Sequence, residues 1–395
     1  MMSLTKNERF TEIKPSSPTI PKCQYFGVCL GCQSQDIDYG TQLKAKTDAV
    51  VGVMADSGVA KHGLVTDCLP SPNEYGYRNC LDLAITQDDN GKVRVGIHSA
   101  HAHYADILPV EACALLPVRV AGLPKSIGGA LGYLFGANRD LPVDRVRIRV
   151  SKHRSNLDIS LWTGPMAFPR HMVAKTLASA TKASSITRVI FSESSSAQKV
   201  AGVEHLAGQN SWVERIGGVS FFVTSVSPFP HNTAVAEIML EKAKEITNIS
   251  RNDRLLELNP GAIAFSIPMS FSAGESIVVE SRRFALTDIA RSAEAAGAPL
   301  EIVPGDIEHS LEPAGDFDVV IAHLPDRDRA LSPQAWARIM GTRPRLLLYR
   351  TNQLSFLSKD IGLITRSGYI LEKVMPFDVS PHTSNLEVLA LFQRM

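Results

Sequence analysis

With 395 residues, 44% of them hydrophobic, the chain has apolar material for two or three folded domains, and no window of about 18 uninterrupted apolar residues suggests a membrane span. Lysine and arginine number 41 against 40 acids, so no global positive field announces a nucleic-acid partner and any such claim must rest on a local patch. Six cysteines are too few for a disulfide scaffold, and the opening residues lack a signal-peptide core, so a reducing cytoplasmic setting, no membrane partner and a monomer are expected.

Residues 1–22 are polar, hold Pro15, Pro18 and Pro21 and follow neither a strand nor a helix period, which predicts a flexible tail. The stretch from Cys23 to Gln35 then places Cys23, Cys29 and Cys32 at spacings of five and two intervening residues, on a loop tightened by Gly27 and Gly31. That is a metal-site pattern, and Cys113 lies downstream as a candidate fourth ligand. Four such thiolates suit either a tetrahedral zinc ion or an iron-sulfur cluster. Beyond the loop, Leu43, Val50, Val51 and Met54 fall near helical spacing and predict a helix over 39–54, ended by Gly58.

From about 73 to 223 the pattern is mostly strand-like. Residues 93–98 alternate, and 143–150 set Arg145, Arg147 and Arg149 on one face against Val146, Ile148 and Val150 on the other. Lys152, His153 and Arg154 extend this most basic stretch of the chain. Its arginine face reads either as a solvated sheet exterior or as a phosphate-contacting strand. Helices expected at 170–182 and 197–207 flank a strand at 186–191. His98, His101 and His103 would not all face one way on an alternating strand, which argues against a second metal site. Trp162, Trp212 and Trp336 read as core.

The last third changes character. Asn232 can cap a helix over 233–246, after which strands at 255–259, 277–281, 300–303, 317–322, 345–349, 371–377 and 387–393 alternate with helices. Only a short link containing Pro381 joins the final two strands, so that pair is antiparallel. Seven strands so arranged resemble the class I methyltransferase fold, a Rossmann-like α/β sheet. The expected organisation is a tail at 1–22, a mixed β-rich domain carrying the cysteine loop at 23–224, and a class I methyltransferase-like domain at 225–395.

Particular residues carry a closer likeness. Cys23-x5-Cys29-x2-Cys32-x2-Gln35, Tyr39-x2-Gln42-Leu43-x2-Lys46, Tyr77-Arg78-Asn79, and Cys113 after Val110-Glu111 together resemble the RNA uridine-5-methyltransferases, in particular the iron-sulfur 23S rRNA type. The resemblance runs from about residue 20 to the end of the chain. It implies a [4Fe-4S] cluster on Cys23, Cys29, Cys32 and Cys113, with Cys68 and Cys80 as bystanders, and a structured RNA partner, ribosomal by type. It also implies an S-adenosylmethionine site, with Gly261 in the turn after the first strand, Glu280 as the ribose acid and Asp306 near the adenine. In that turn Glu257 stands for an aspartate, and Ile263 replaces a glycine and is expected to obstruct the cofactor.

The chemistry departs from the resemblance at one point above all. Methylating uracil at C5 needs a thiolate to add at C6 and a base to take the C5 proton. Glu387 holds the base's position, but Asn352 holds the nucleophile's, and an amide cannot serve. Pro230 stands for a glutamine, and Ala322-His323-Leu324-Pro325-Asp326 lacks the aspartate of the matching loop. The expected function is an iron-sulfur, RNA-binding relative impaired in cysteine-dependent methyl transfer. Two alternatives are an active S-adenosylmethionine-dependent 23S rRNA (uracil-5-)-methyltransferase and an iron-sulfur redox regulator without RNA.

Overall fold

The computed structural model describes residues 18–57, 63–87, 93–98, 107–138, 141–153, 155–192, 200–308, 315–324 and 331–395, organised about two seven-stranded sheets. Helix α1 (Tyr39–Asp56) starts where Asp38 accepts a hydrogen bond from the Thr41 amide, and its buried stripe Gln42, Lys46, Val50 and Met54 recurs every fourth residue. Such spacing turns one face inward. That face packs far away in sequence, because Val50 and Met54 share a core cluster with Leu256, Val320, Leu347 and Val374. Lys46, 1% exposed, pairs with Asp378 at 2.5 Å and donates to the Asn385 carbonyl at 2.8 Å.

The first sheet contains β1 (Cys80–Gln87), β2 (Val93–His98) and β3 (Ile107–Pro109), followed after helix α2 (Leu123–Ala137) by β4 (Val143–Val150) and β5 (Leu157–Thr163). Helix α3 (Arg170–Thr181) then leads to β6 (Ser185–Phe191) and β7 (Val200–Gly208). The order is β3-β2-β1-β4-β5-β6-β7, and the parallel pair β5 and β6 uses α3 as its crossover. Both helices cover one face, where Val146, Ile148 and Val150 meet Ile127 and Leu131 of α2 and Leu177 of α3.

Three expectations change here. Residues 200–208 form strand β7 and not the second half of a helix: Gly202 and Gly208 weaken helix propensity, and pairing with β6 satisfies the backbone. Helix α2 escapes sequence reading because Gly128, Gly129, Gly132 and Gly136 lower its propensity, while burial of Ile127, Leu131 and Leu134 stabilises it. The arginine face of β4 is neither solvated nor free for phosphate. Arg147 makes a two-pronged bond to Asp82, Arg149 is 3% exposed and donates to the Thr224 and Ser227 carbonyls, and Arg145 lies 3.8 Å over the Trp162 ring. A central strand with chain lying across it has its cations spent internally. Arg154, at the end of the same stretch, lies outside the described residues.

A hairpin of β8 (Trp212–Ile216) and β9 (Val219–Val223) turns at Gly217-Gly218, both at positive φ as such a tight turn requires. Asn232 caps α4 (Thr233–Thr247) by accepting from the Val235 amide, as expected. The second sheet then follows: β10 (Arg254–Leu258), the single turn α5 (Ser266–Met269), β11 (Glu275–Glu280), α6 (Arg283–Ala296), β12 (Glu301–Pro304), β13 (Val319–His323), α7 (Pro333–Gly341), β14 (Leu346–Thr351), α8 (Leu354–Arg366), β15 (Tyr369–Phe377) and β16 (Glu387–Arg394). The strand order is β12-β11-β10-β13-β14-β16-β15, parallel except for β16, which runs antiparallel to both its neighbours. This is the seven-stranded arrangement expected for the C-terminal part. The hairpin belongs to its packing, since Trp212, Ile216 and Phe221 share a core cluster with Leu240, Leu255 and Val319. Earlier chain also covers the open edge of β15 through the bridges Val65 to Val374 and Leu69 to Phe377. Trp162, Trp212 and Trp336 are all buried.

Because Lys46 and Asp378 are both sealed from water, removing either leaves an uncompensated buried charge. We expect Lys46→Met to cost about 3–5 kcal/mol in urea unfolding, and the Lys46→Met/Asp378→Leu pair to recover most of that loss. A single variant with wild-type stability would show that the pair is not what fixes α1.

Candidate functional site

Two sites emerge, joined by one clamp. In the first, Cys23, Cys29, Cys32 and Cys113 come together around one recess, with Gln35, Arg78 and Tyr25 also in its wall. Gly27, at φ 84°, reverses the cysteine loop, and the Gly31 amide donates to the Cys29 sulfur at 3.3 Å. Burial pushes the Cys32 thiol up to about 11 and also raises Cys29 and Cys113, with repulsion among the cysteines adding to the effect, while Arg78 pulls Cys29 and Cys113 back down. Among the described residues, no three side chains of metal-ligand type converge on a point that would hold a single ion. The four cysteines share the lining of one recess. Cys68 and Cys80 are buried and stand outside it.

The second site lies at the carboxyl ends of the parallel strands, where an open α/β sheet forms its crevice. After β10 the chain turns through Asn259 at φ 54° and Gly261 at φ 73°. Glu280, ending β11, accepts from the Gly261 amide at 3.0 Å and from Arg282 Nε and Nη2 at 2.9 and 2.8 Å. Burial would raise this carboxyl, but Arg282 beside it holds it below the usual range. The acid is therefore engaged by the chain itself. Asp306 accepts from the Glu308 amide, and Glu308 in turn accepts from the Ser332 hydroxyl at the start of α7.

Several expected roles shift. Ile263 is 2% exposed and belongs to the core cluster with Phe229 and Val235, so the obstruction expected of it does not arise from a side chain standing in the crevice. Glu257 is also turned inward, accepting from the Phe265 and Ser266 amides at the start of α5. Asn352 is exposed just beyond β14, while Thr351 is fully buried and donates to the Leu324 carbonyl at 3.0 Å. The Pro230 carbonyl accepts from the Asn79 side chain, tying the first sheet to the cap of α4. Ala322 is buried in the sheet core; Pro325 and Asp326, like His101 and His103, lie outside the described residues.

Glu387 opens β16 beside His323, from the loop read as lacking its aspartate, and Arg350, to which sequence reading gave no role. His323 and Arg350 are register partners on β13 and β14; Arg350 Nε donates to Glu387 at 2.5 Å, and His323 Nε2 stands 3.6 Å from the same oxygen. The other imidazole nitrogen, Nδ1, lies 3.2 Å from the Pro260 carbonyl. Burial alone would raise the Glu387 carboxyl, but Arg350 draws it down to about 2, and burial with the Arg350 charge pushes His323 down to about 4. A neutral imidazole and a carboxylate locked to a guanidinium result. The only advance signal for Arg350 was its place at the end of an apolar strand run.

The clamp between the sites is built from motif residues of α1 and of the segment just before β1. Gln42 Nε2 donates to the Ser34 and Ile37 carbonyls and contacts His382 Nδ1, while its oxygen accepts from the His382 amide. The His382 carbonyl accepts from the Gln33 amide at 2.8 Å, and the Tyr77 hydroxyl donates to Pro381. The cysteine loop is thus bonded to the segment that leads into Glu387.

Strand order and crevice together define a class I methyltransferase-like protein. No protein-family model matches the chain. It is 25% identical, over 95% of its length, to the 23S rRNA (uracil(1939)-C(5))-methyltransferase RlmD of Salmonella typhimurium, of which it covers 82%. It is 24% identical to an uncharacterized RNA methyltransferase of Caldanaerobacter subterraneus, covering 94% of this chain and 84% of that one. Among solved structures it shares the fold of Pyrococcus abyssi tRNA (uracil-54, C5)-methyltransferase, crystallised with S-adenosyl-L-homocysteine, with a TM-score of 0.73, 18% identity, and coverage of 92% of this chain and 84% of that one. Both relatives, at 24 and 25% identity over nearly the whole chain, are RNA methyltransferases by name, and the solved structure shares the fold.

His323 is neutral in the folded protein down to about pH 4 but protonates near 6.5 once unfolded, so acid favours unfolding between those values. Glu387 adds a second loss as pH falls from about 4.5 toward 2. We expect His323→Phe to flatten the decline of unfolding free energy between pH 6.5 and 4 without changing it below 4; an unchanged profile would remove His323 from the account.

Proposed function

We propose that the chain is an RNA-binding relative of the uracil-C5 methyltransferases that carries a [4Fe-4S] cluster and does not perform cysteine-dependent methyl transfer. The observation that carries this reading is the Arg350 to Glu387 bond. A general base works best with a pKa near the operating pH, and Glu387 is held at about 2 by a buried cation. With Asn352 at the nucleophile's position, the thiolate is missing, and the carboxylate at the base's position is weakened by its bond to Arg350.

The donor set fits the cluster. Cys23, Cys29, Cys32 and Cys113, which line one recess, would hold it, and four thiolates are the ligand set such a centre takes. Such a cluster supplies a cross-link among soft ligands and the capacity to hold an extra electron. The RNA partner is supported by the relatives, which act on RNA by name, and ribosomal RNA is the favoured target because the Salmonella relative is a 23S rRNA enzyme. With the β4 arginines spent internally, the recess between α3 and β7, lined by His171, Lys175 and His205 beside the Arg170–Glu204 ion pair, is the surface on which Lys175 is offered to phosphate.

S-adenosyl ligands are supported by the same relatives and by the S-adenosyl-L-homocysteine held in the Pyrococcus abyssi fold neighbour. Gly261, Glu280 and Asp306 would hold such a ligand, which supplies a methyl group when it is S-adenosylmethionine. The contact opposing it is Arg282, which satisfies the carboxylate that ribose hydroxyls would need. We expect calorimetry to give tighter S-adenosylmethionine binding by Arg282→Ala than by wild type, by about tenfold for each 1.4 kcal/mol of lost competition; equal affinities would show that Arg282 yields freely.

The functional test is to crosslink the protein to cellular RNA, sequence what is retained, and compare 5-methyluridine at those positions with and without the gene. Retained RNA with unchanged modification is expected. Loss of 5-methyluridine on deletion would restore the active-enzyme reading, and absence of any retained RNA would leave the redox alternative.

A further inference from the structure

The wall of the cysteine recess contains two buried side-chain nitrogens without a hydrogen-bond partner at normal geometry. Gln35 is 2% exposed; its Nε2 is buried without a partner at normal hydrogen-bond geometry, and the side chain stands toward the Cys32 thiol, which it draws downward against the effect of burial. Its orientation is fixed by its oxygen, which accepts from the Cys23 amide at 3.1 Å and from the Tyr75 hydroxyl at 3.4 Å, so the amide cannot be turned end for end. The Nε of Arg78 is likewise buried and unbonded. Both residues line the recess together with the four cysteines.

A buried donor left without an acceptor is costly enough that such groups are rare in folded proteins. Two of them, one cationic, in one recess call for an acceptor-rich and negatively charged occupant. Thiolates and inorganic sulfides supply acceptors of that kind, and hydrogen bonds to sulfur are among the terms that set a cluster's reduction potential.

Resting on the cluster reading above, we infer that Gln35 and Arg78 are positioning residues for the cluster, each donating an N–H to its sulfur atoms and so raising its reduction potential. The added electron makes the cluster more negative, and N–H donors stabilise that state more than the oxidised one. Arg78 also anchors the recess to the second site's framework, because its backbone bridges to Asn232 at the cap of α4 and bonds the Leu115 carbonyl.

The test uses the full-length protein purified anaerobically with its iron. Gln35→Leu removes the amide donor; Arg78→Lys keeps the charge and removes Nε. Tyr75→Phe is the control, because it drops a partner of the Gln35 oxygen and leaves both donors in place. Iron and sulfide are measured first, followed by a spectroelectrochemical midpoint and the rate at which a chelator bleaches the visible chromophore. A lower midpoint in both donor variants, bleaching several times faster than wild type, and a wild-type midpoint for Tyr75→Phe are expected. Iron-loaded donor variants with the wild-type midpoint would overturn the inference and leave the cluster standing. Where a variant holds too little iron for the midpoint, bleaching of the residual chromophore at the wild-type rate would overturn it equally. Wild-type protein without iron and sulfide would remove the cluster reading, and this inference with it.

Discussion

The buried ion pair between Lys46 and Asp378 organises more of this protein than any other single contact. It ties a helix near the beginning of the described chain to the loop before the last strand, 332 residues away. Around it, Gln42 and Tyr77 hold the neighbouring loop residues His382 and Pro381, and the cysteine loop gains its backbone anchor on the same segment. Two charges are costly to desolvate, so the pair is a poor way simply to gain stability. It fixes α1 against the loop before β16, because separating the partners would leave each with an uncompensated buried charge. The two sites are held in one spatial relation by that geometry.

Local pattern revealed the second sheet almost completely. Apolar runs bounded by turn residues mark all seven strands to within about two residues, and the Asn232 cap follows from one side chain and its spacing. The division of β4 into an aliphatic and an arginine face is also periodic and therefore readable. What period cannot show is what lies opposite. Residues 224–227 cross the arginine face through contacts 75 to 78 residues distant in sequence, and nothing in the alternation distinguishes that cover from water or phosphate. The same limit applies to Ile263, whose side-chain direction depends on a turn with two positive φ angles.

Glycine and edge pairing account for the other differences. A helix with four glycines has weak intrinsic propensity and exists because α2 lies on an apolar sheet face. At β7, helix-forming Ala, Leu and Glu yield to a ladder with β6. The cysteine set was the most readable part of either site, since thiols at close spacing have few other uses. The pairing of Glu280 with Arg282 and of Glu387 with Arg350 was least readable: each acid was visible as a strand-end residue, while its cation acquires meaning only in the folded arrangement.

The span of the α1 clamp also bears on how the chain is made. At a synthesis rate of about 5–20 residues per second, Lys46 leaves the ribosome roughly 20–60 s before Asp378 exists. During that interval the inward face of α1, with Val50 and Met54, has no sheet to cover it. Folding of the first sheet can proceed meanwhile, because β1 to β7 draw their partners from within residues 80–208. The nascent protein therefore carries an unmatched apolar helix through most of its translation, a period when holdase chaperones have a defined stretch to shield and when any incorporated cofactor must wait for its final enclosure.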